Sequence, residues 1–277
     1  MKSDPVRNDV YVFAVLAQRK IRELCLGKPF LAMLFVQQMV FFFFQRDALL
    51  ALDRDGILVA FHPAQYGLLV SVVLLGIFLL LYAAAEPARE RESGALETLF
   101  YGPVSELIYV SAVMASIVTA MAISLLTLLG ALWAGVLFIG YEIPVSLLPL
   151  LPVTLLCFWC ISAAGIFISV LFRQARLTMT VVTILLVFSL AVTTANFWFS
   201  QTDFSGSFAM IFLRQAVSAL SMGLNFIFPL GLYFDDLSWF IGYGRIPLFH
   251  LLWYLIYAVG LFLLSVKVLG KRGVLAR

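Results

Sequence analysis

The stretch Ala64–Ala85, AQYGLLVSVVLLGIFLLLYAAA, holds twenty-two residues and no charge. A helix needs about 20 predominantly apolar residues to cross the hydrocarbon core of a bilayer, and this stretch supplies them. The rest of the chain is built alike. Of 277 residues 63% are hydrophobic and 12% charged, with 26 phenylalanines and a mean hydropathy of +1.05. Soluble domains are roughly half apolar and a quarter charged. The composition therefore excludes a soluble globular enzyme and predicts an all-α polytopic membrane protein.

Further spans follow on both sides. Leu107–Gly140 is free of charge and longer than one crossing requires. Val145–Phe172 is entered through Pro144, Pro149 and Pro152, which suit a helix start or a kink. Leu177–Phe199 and Ile246–Val268 bring the number to five. Phe30–Phe44, FLAMLFVQQMVFFFF, is short and carries Gln37 and Gln38. It counts as a sixth span because six crossings satisfy the rule that Lys and Arg collect in cytoplasmic segments, and five do not. With the N-terminus inside, fourteen basic residues fall in cytoplasmic segments, and only Arg46, Arg54, Arg214 and Arg245 fall outside. Both termini are thus expected in the cytoplasm.

The flanks carry their own patterns. In residues 1–28, Val10, Phe13, Ala14, Ala17, Ile21, Leu24 and Cys25 share one helical face, with Arg19, Lys20, Arg22 and Glu23 on the other. This predicts a basic amphipathic helix at the inner membrane surface, and not a signal peptide. The alternative is a cytoplasmic helix packed on another subunit. The segment 200–245 is expected outside, with Asp236 in the outer solution, as is Asp53. Its apolar stretch FAMIFLRQAVSALSMGLNFIF contains Arg214 and Asn225, which argue against a full crossing and predict a re-entrant or interfacial helical segment. A seventh span is the rival; it would put the C-terminal basic cluster outside. Phe199, Phe208, Phe212, Tyr233 and Trp239 are the candidates for an outer gate. The alternative role for such aromatics is an interfacial belt.

Catalytic patterns are missing. Cys157 and Cys160 form CxxC inside LLCFWCISAAG, where hydrocarbon disfavours the thiolate that redox chemistry needs, so packing is the expected role. The histidines are His62 and His250; no H-E-x-x-H or G-x-S-x-G is present, and only His250 could serve a serine as base. The spans hold essentially no carboxylate, with Glu106 at a helix boundary, which disfavours an ion-coupled carrier. A phosphate-binding G-x-x-x-x-G-K-[ST] loop is absent as well. No catalytic residue, metal or cofactor is expected on this chain.

The remaining concentration of charge is EPARERESGALETLFYGPVS, Glu86–Ser105, in a cytoplasmic connection between two spans. Pro87 and the early acids suit a first helical turn. Gly94 allows a break, ALETLF a further amphipathic turn with Leu96, Leu99 and Phe100 near one side, Pro103 a stop and Ser105 a cap. A short charged helical hairpin projecting from the inner face is expected; charge alone would also fit a solvated loop.

The order of residues resembles the permease subunits of type-2 ABC exporters, whose second and third spans are joined by E-R-E-x-G-T-L-E-x-L-L-x-x-P-V-S. Glu90, Arg91, Glu92, Gly94, Leu96, Glu97, Leu99, Pro103, Val104 and Ser105 stand in register, with departures at Ala95 and Phe100. Glu106 is followed by LIYVSAV without the Gly-Lys often found there. The resemblance implies a six-span permease domain over 29–277, an amphipathic entry helix and an outer re-entrant segment. It implies that 86–103 is a coupling helix docking on an ATPase, with Glu86, Arg89, Glu90, Arg91, Glu92, Gly94, Leu96, Glu97 and Leu99 at the contact. Two ATPase subunits would carry ATP and Mg, and a second permease, identical or related, would complete a pathway in a plasma membrane, the bacterial inner membrane above all. Membrane lipid is the other expected partner; nucleic acid is not. The other functional classes are a membrane-embedded assembly or binding protein and a secondary transporter.

Overall fold

A computed structural model describes residues 5–55, 65–139, 150–172, 174–201, 208–227, 232–233, 236 and 248–273. His62, Pro144, Pro149, Arg173, Trp239 and Arg245 lie outside the described residues. The described elements are α1 (Pro5–Cys25), α2 (Lys28–Asp55), α3 (Gln65–Glu92), α4 (Ala95–Tyr101), α5 (Glu106–Ile139), α6 (Leu150–Leu171), α7 (Ala175–Gln201), α8 (Phe208–Ile227) and α9 (Leu248–Gly273). No strand occurs among the described residues. Six helices (α2, α3, α5, α6, α7 and α9) are long and apolar enough to cross a membrane. The chain is an all-helical, multi-pass membrane protein.

One boundary differs from the expectation. α3 does not stop near Ala85 and restart at Pro87; it runs unbroken to Glu92 with Pro87 inside it. α5 has 34 residues, about 51 Å at 1.5 Å per residue, so it extends well beyond a hydrocarbon core of roughly 30 Å.

At the centre α3 packs on α6, the most enclosed of the spans. Lipid tails are as apolar as leucine, so helices in a membrane associate by close packing, which small residues permit. Here Gly165 of α6 meets Ala83 and Ala84 of α3. A Cβ on Gly165 would lie 2.9 Å from the Leu80 carbonyl oxygen and 2.9 Å from the Ala83 Cβ, so only glycine fits. Around this pair α5 carries α1, α9 lies on α6, α2 and α7 pack on α3, and α8 packs on α7.

The glutamines that made α2 look a weak span face inward. Ser124 donates to Gln37 Oε1 at 2.5 Å, Gln38 donates to Thr127 Oγ1 at 3.1 Å, and Ser71 donates to the Gln37 carbonyl at 3.2 Å. These bonds tie α2 to α5 and α3, while Phe35, Met39 and Phe43 of α2 point outward. α7 and α9 likewise expose Ile184, Val187, Leu255 and Leu263, an apolar exterior suited to lipid.

α1 corrects the helical-wheel expectation. Its buried face carries Leu16, Ala17, Lys20 and Leu24, and Val10, Ala14 and Val15 are exposed. Lys20, assigned to the polar side by periodicity, is 0% exposed. Partners supplied by α3, described next, make that burial tolerable.

Candidate functional site

The last turns of α3, the turn after them and α4 form one unit. α3 reaches Glu92; Ser93 donates its backbone N–H to the Arg89 carbonyl at 2.9 Å, and Gly94 turns with φ 75°. That left-handed conformation costs a residue with a Cβ about 1–2 kcal/mol and glycine nothing. α4 then packs back, burying Leu96 and half-burying Leu99 and Phe100, with the Phe100 ring set edgewise against Tyr109 at 6.1 Å. At its far side Ser105 caps α5, its Oγ accepting the Ile108 N–H at 3.3 Å.

The charges of this unit divide into two groups. Glu86 and Glu90 point inward and hold Lys20 of α1: the ammonium donates to Glu86 Oε1 at 2.6 Å and also to Glu90 Oε1. The Tyr109 hydroxyl of α5 donates to the other Glu90 oxygen at 2.6 Å. Burial by itself would lower the Lys20 pKa; the attraction of Glu86 and Glu90 outweighs it, and the pKa is raised. Arg19 beside it is raised chiefly by its hydrogen bond to Glu23, at 2.8 Å. Arg91 donates to the Val170 carbonyl at 3.0 Å and to the Phe172 carbonyl at 3.4 Å, closing over the C-terminal end of α6. Helix C-termini present unsatisfied carbonyls and negative dipole ends, so a guanidinium suits that place. Glu92 accepts the Ala175 N–H at 3.2 Å, the complementary arrangement at the N-terminus of α7.

The outward group comprises Arg89, Ala95, Glu97, Thr98 and Tyr101, all exposed. Of the nine sequence-named residues, then, Glu86, Glu90 and Arg91 serve joints inside the chain, Leu96 and Leu99 pack α4 down, and Gly94 makes the turn. Glu92 is exposed yet bonded to α7, and Arg89 and Glu97 face out. Thr98 and Tyr101 share the outer surface and were not singled out in the sequence; their place on the α4 wheel opposite Leu96 is the signal that could have found them.

Comparison of the chain with protein-family models, curated proteins and solved structures found no match.

The outer-gate candidates separate. Phe199 is half-buried near the end of α7, its neighbour Trp198 5.8 Å away. Phe208 and Phe212 of α8 are exposed, Phe208 at 85%. Tyr233 is buried, its hydroxyl 2.9 Å from Thr154 Oγ1 of α6. Asp236, expected in the outer solution, is fully buried; the Tyr254 hydroxyl donates to it at 2.7 Å, and His250 Nδ1 lies 2.5 Å away. Cys157 and Cys160 are buried reduced thiols within the α6 packing.

Proposed function

We propose that the chain is the transmembrane subunit of an ATP-driven exporter, pairing with a second permease and taking its power from separate ATPase subunits through α4 and the end of α3. One observation carries this. The face that presents Arg89, Glu97, Thr98 and Tyr101 belongs to a unit bonded to four other helices: α1 through Lys20, α5 through Tyr109, α6 through Arg91 and α7 through Glu92. A push on that face is passed to most of the bundle at once, which is what an external motor requires. The motor shifts the bundle only as far as it contacts two arrangements of this face differently.

In this scheme the termini are cytoplasmic. α1 lies along the inner surface, with Val10, Tyr11 and Val15 toward lipid and Arg19 and Arg22 toward headgroups. α8 is the outer re-entrant segment; its exposed Phe208, Ile211 and Phe212 support contact with lipid or a second permease. ATP and Mg reside on the partner, and this chain performs no hydrolysis.

The decisive experiment reverses two outward charges, Arg89→Glu with Glu97→Lys. Exposed substitutions shift stability by about 0.5 kcal/mol or less, so the protein should accumulate normally. Co-purification of the ATPase and transport should both be lost. Retention of the ATPase with undiminished transport would remove this face from the mechanism.

A further inference from the structure

α9 is the least enclosed of the six spans, and its outward side is one continuous stripe. Leu252, Ile256, Val259 and Leu263 follow one another at steps of three or four residues, all exposed. The same line runs on into Lys267 and Lys271, also exposed. α9 contains no acidic residue, and among the described residues no ion pair engages either lysine. Glu106 of α5 meets α9 at Gly270, where a Cβ would lie 3.7 Å from its Oε1, and it pairs with neither lysine. Ile256 stands eleven residues before Lys267, about 16 Å at 1.5 Å per residue. That is close to half of a hydrocarbon core of roughly 30 Å, the depth that the chains of one leaflet fill.

We propose that this end of α9 is a binding site for a phospholipid of net negative charge. Its phosphate sits between the Lys267 and Lys271 ammonium groups, and its acyl chains lie along Leu263, Val259 and Ile256. An ammonium is a compact charge with three donors and no acceptor, carried on a flexible four-carbon stem. The stem covers apolar surface while the head reaches the headgroups, so two lysines one turn apart offer their donors to one phosphodiester. Charge decides among the occupants of the stripe. A second copy, inserted in the same orientation, would lay α9 beside α9 in parallel and set this pair of lysines against its counterpart. Like charges facing each other disfavour that contact. A zwitterionic lipid brings its own cation to the place where the lysines stand. A lipid whose phosphate is its net charge complements both, and each basic residue near such headgroups strengthens the attraction about fivefold. The site requires only that α9 spans the membrane, whichever activity the bundle performs.

The test is photocrosslinking to the full-length protein in phosphatidylcholine vesicles. A trace of phosphatidylglycerol or of phosphatidylcholine, each with a diazirine in the same acyl chain, is added and irradiated. Adducts on the peptide covering 256–264 should form in much higher yield with phosphatidylglycerol. Lys267→Gln or Lys271→Gln alone should lower that yield about fivefold, and the two together about twenty-fivefold. Both side chains are exposed, so the variants should fold normally. Lys28→Gln with Arg176→Gln removes the same charge from exposed positions at the ends of α2 and α7 and should leave the yield unchanged. Unlabelled phosphatidylglycerol should suppress the adducts, and soluble glycerol phosphate should not. Equal yields from the two lipids would show that the lysines serve only the negative end of the helix dipole. Equal loss in the two double variants would reduce the effect to general surface charge. Suppression by glycerol phosphate would leave an anion site without a lipid, and a covalent dimer joined through α9 would give the stripe to a second copy. Each of these results would overturn the proposal.

Discussion

Lys20 is the place where one side-chain change should have the largest measurable consequence. Lys20→Met keeps most of the side-chain volume and removes the charge. Glu86 and Glu90 are then left with 16% and 12% of their side chains exposed, close together and without their cation. Removing one partner of a buried ion pair costs about 3–5 kcal/mol, because the remaining charge is stranded. At about 2–4 °C per kcal/mol for a chain of this size, the melting temperature should fall by roughly 6–20 °C. A triple variant, Lys20→Met with Glu86→Gln and Glu90→Gln, removes the charge with its partners and should recover most of the loss. Cys25 offers a second readout at the end of the same helix. Burial raises its thiol pKa, so release of α1 should speed maleimide labelling in the single variant, while Cys157 and Cys160 stay protected inside α6. A fall of under about 2 °C, about one kcal/mol or less, or no recovery in the triple variant, would show that the cluster does not hold α1 on α3 and α5.

Three further outcomes follow from the same geometry. Gly165→Ala should destabilise by about 1–3 kcal/mol, because its Cβ meets the Leu80 carbonyl at 2.9 Å, whereas Gly130→Ala, with nothing within 4 Å, should not; thermal unfolding of the two variants side by side checks this. The Lys20 contribution has a definite sign with pH: a raised pKa means that the stabilisation is complete below the ordinary lysine value and is lost as pH rises through the raised one. The stability gap between the unmutated protein and the Lys20→Met variant should therefore close only in strong alkali, and a gap that closes near neutrality would contradict the pairing. A single cysteine at Glu97 should resist membrane-impermeant thiol reagents in intact cells and react in inverted vesicles, while one at Asp53 should do the opposite; labelling of position 97 from outside would reverse the topology.

Periodicity and charge were enough for the six spans, because a charge-free run of about 20 residues has few other folds available. They also located the break at Gly94 and the cap at Ser105, which are local. What escaped was set by distant partners. A helical wheel sends Lys20 to water; it is buried because Glu86 lies 66 positions further on and comes back to meet it. Gln37 and Gln38 weakened the reading of α2 until Ser124 and Thr127 of α5 supplied their hydrogen bonds. The burial of Asp236 had no signal in its own aromatic neighbourhood, since its partners stand 14 and 18 positions away on α9. In each case the residue's type was visible and its environment was not.

The two polar clusters are joined by α6, and this makes the bundle's mechanics specific. At its C-terminal end α6 is held by Arg91, whose neighbour Glu90 belongs to the Lys20 cluster. In the middle it is locked to α3 by the contact at Gly165, where no side chain can act as a cushion. At its N-terminal end Thr154 meets Tyr233, three residues from Asp236. A helix with backbone bonds throughout transmits a displacement along its axis with little loss, and packed interiors switch between arrangements more readily than they deform. Displacing α4 therefore has a short physical route to Tyr233 and Asp236: the end of α3, the α3–α6 seam, and α6 itself. If that route operates, Gly165→Ala should uncouple the ends. Charge reversal at Arg89 and Glu97 should change hydrogen-exchange protection at Tyr233 and Asp236 in the unmutated protein and should no longer do so in the variant. Equal responses in both backgrounds would mean that the two ends communicate by another path or do not communicate at all.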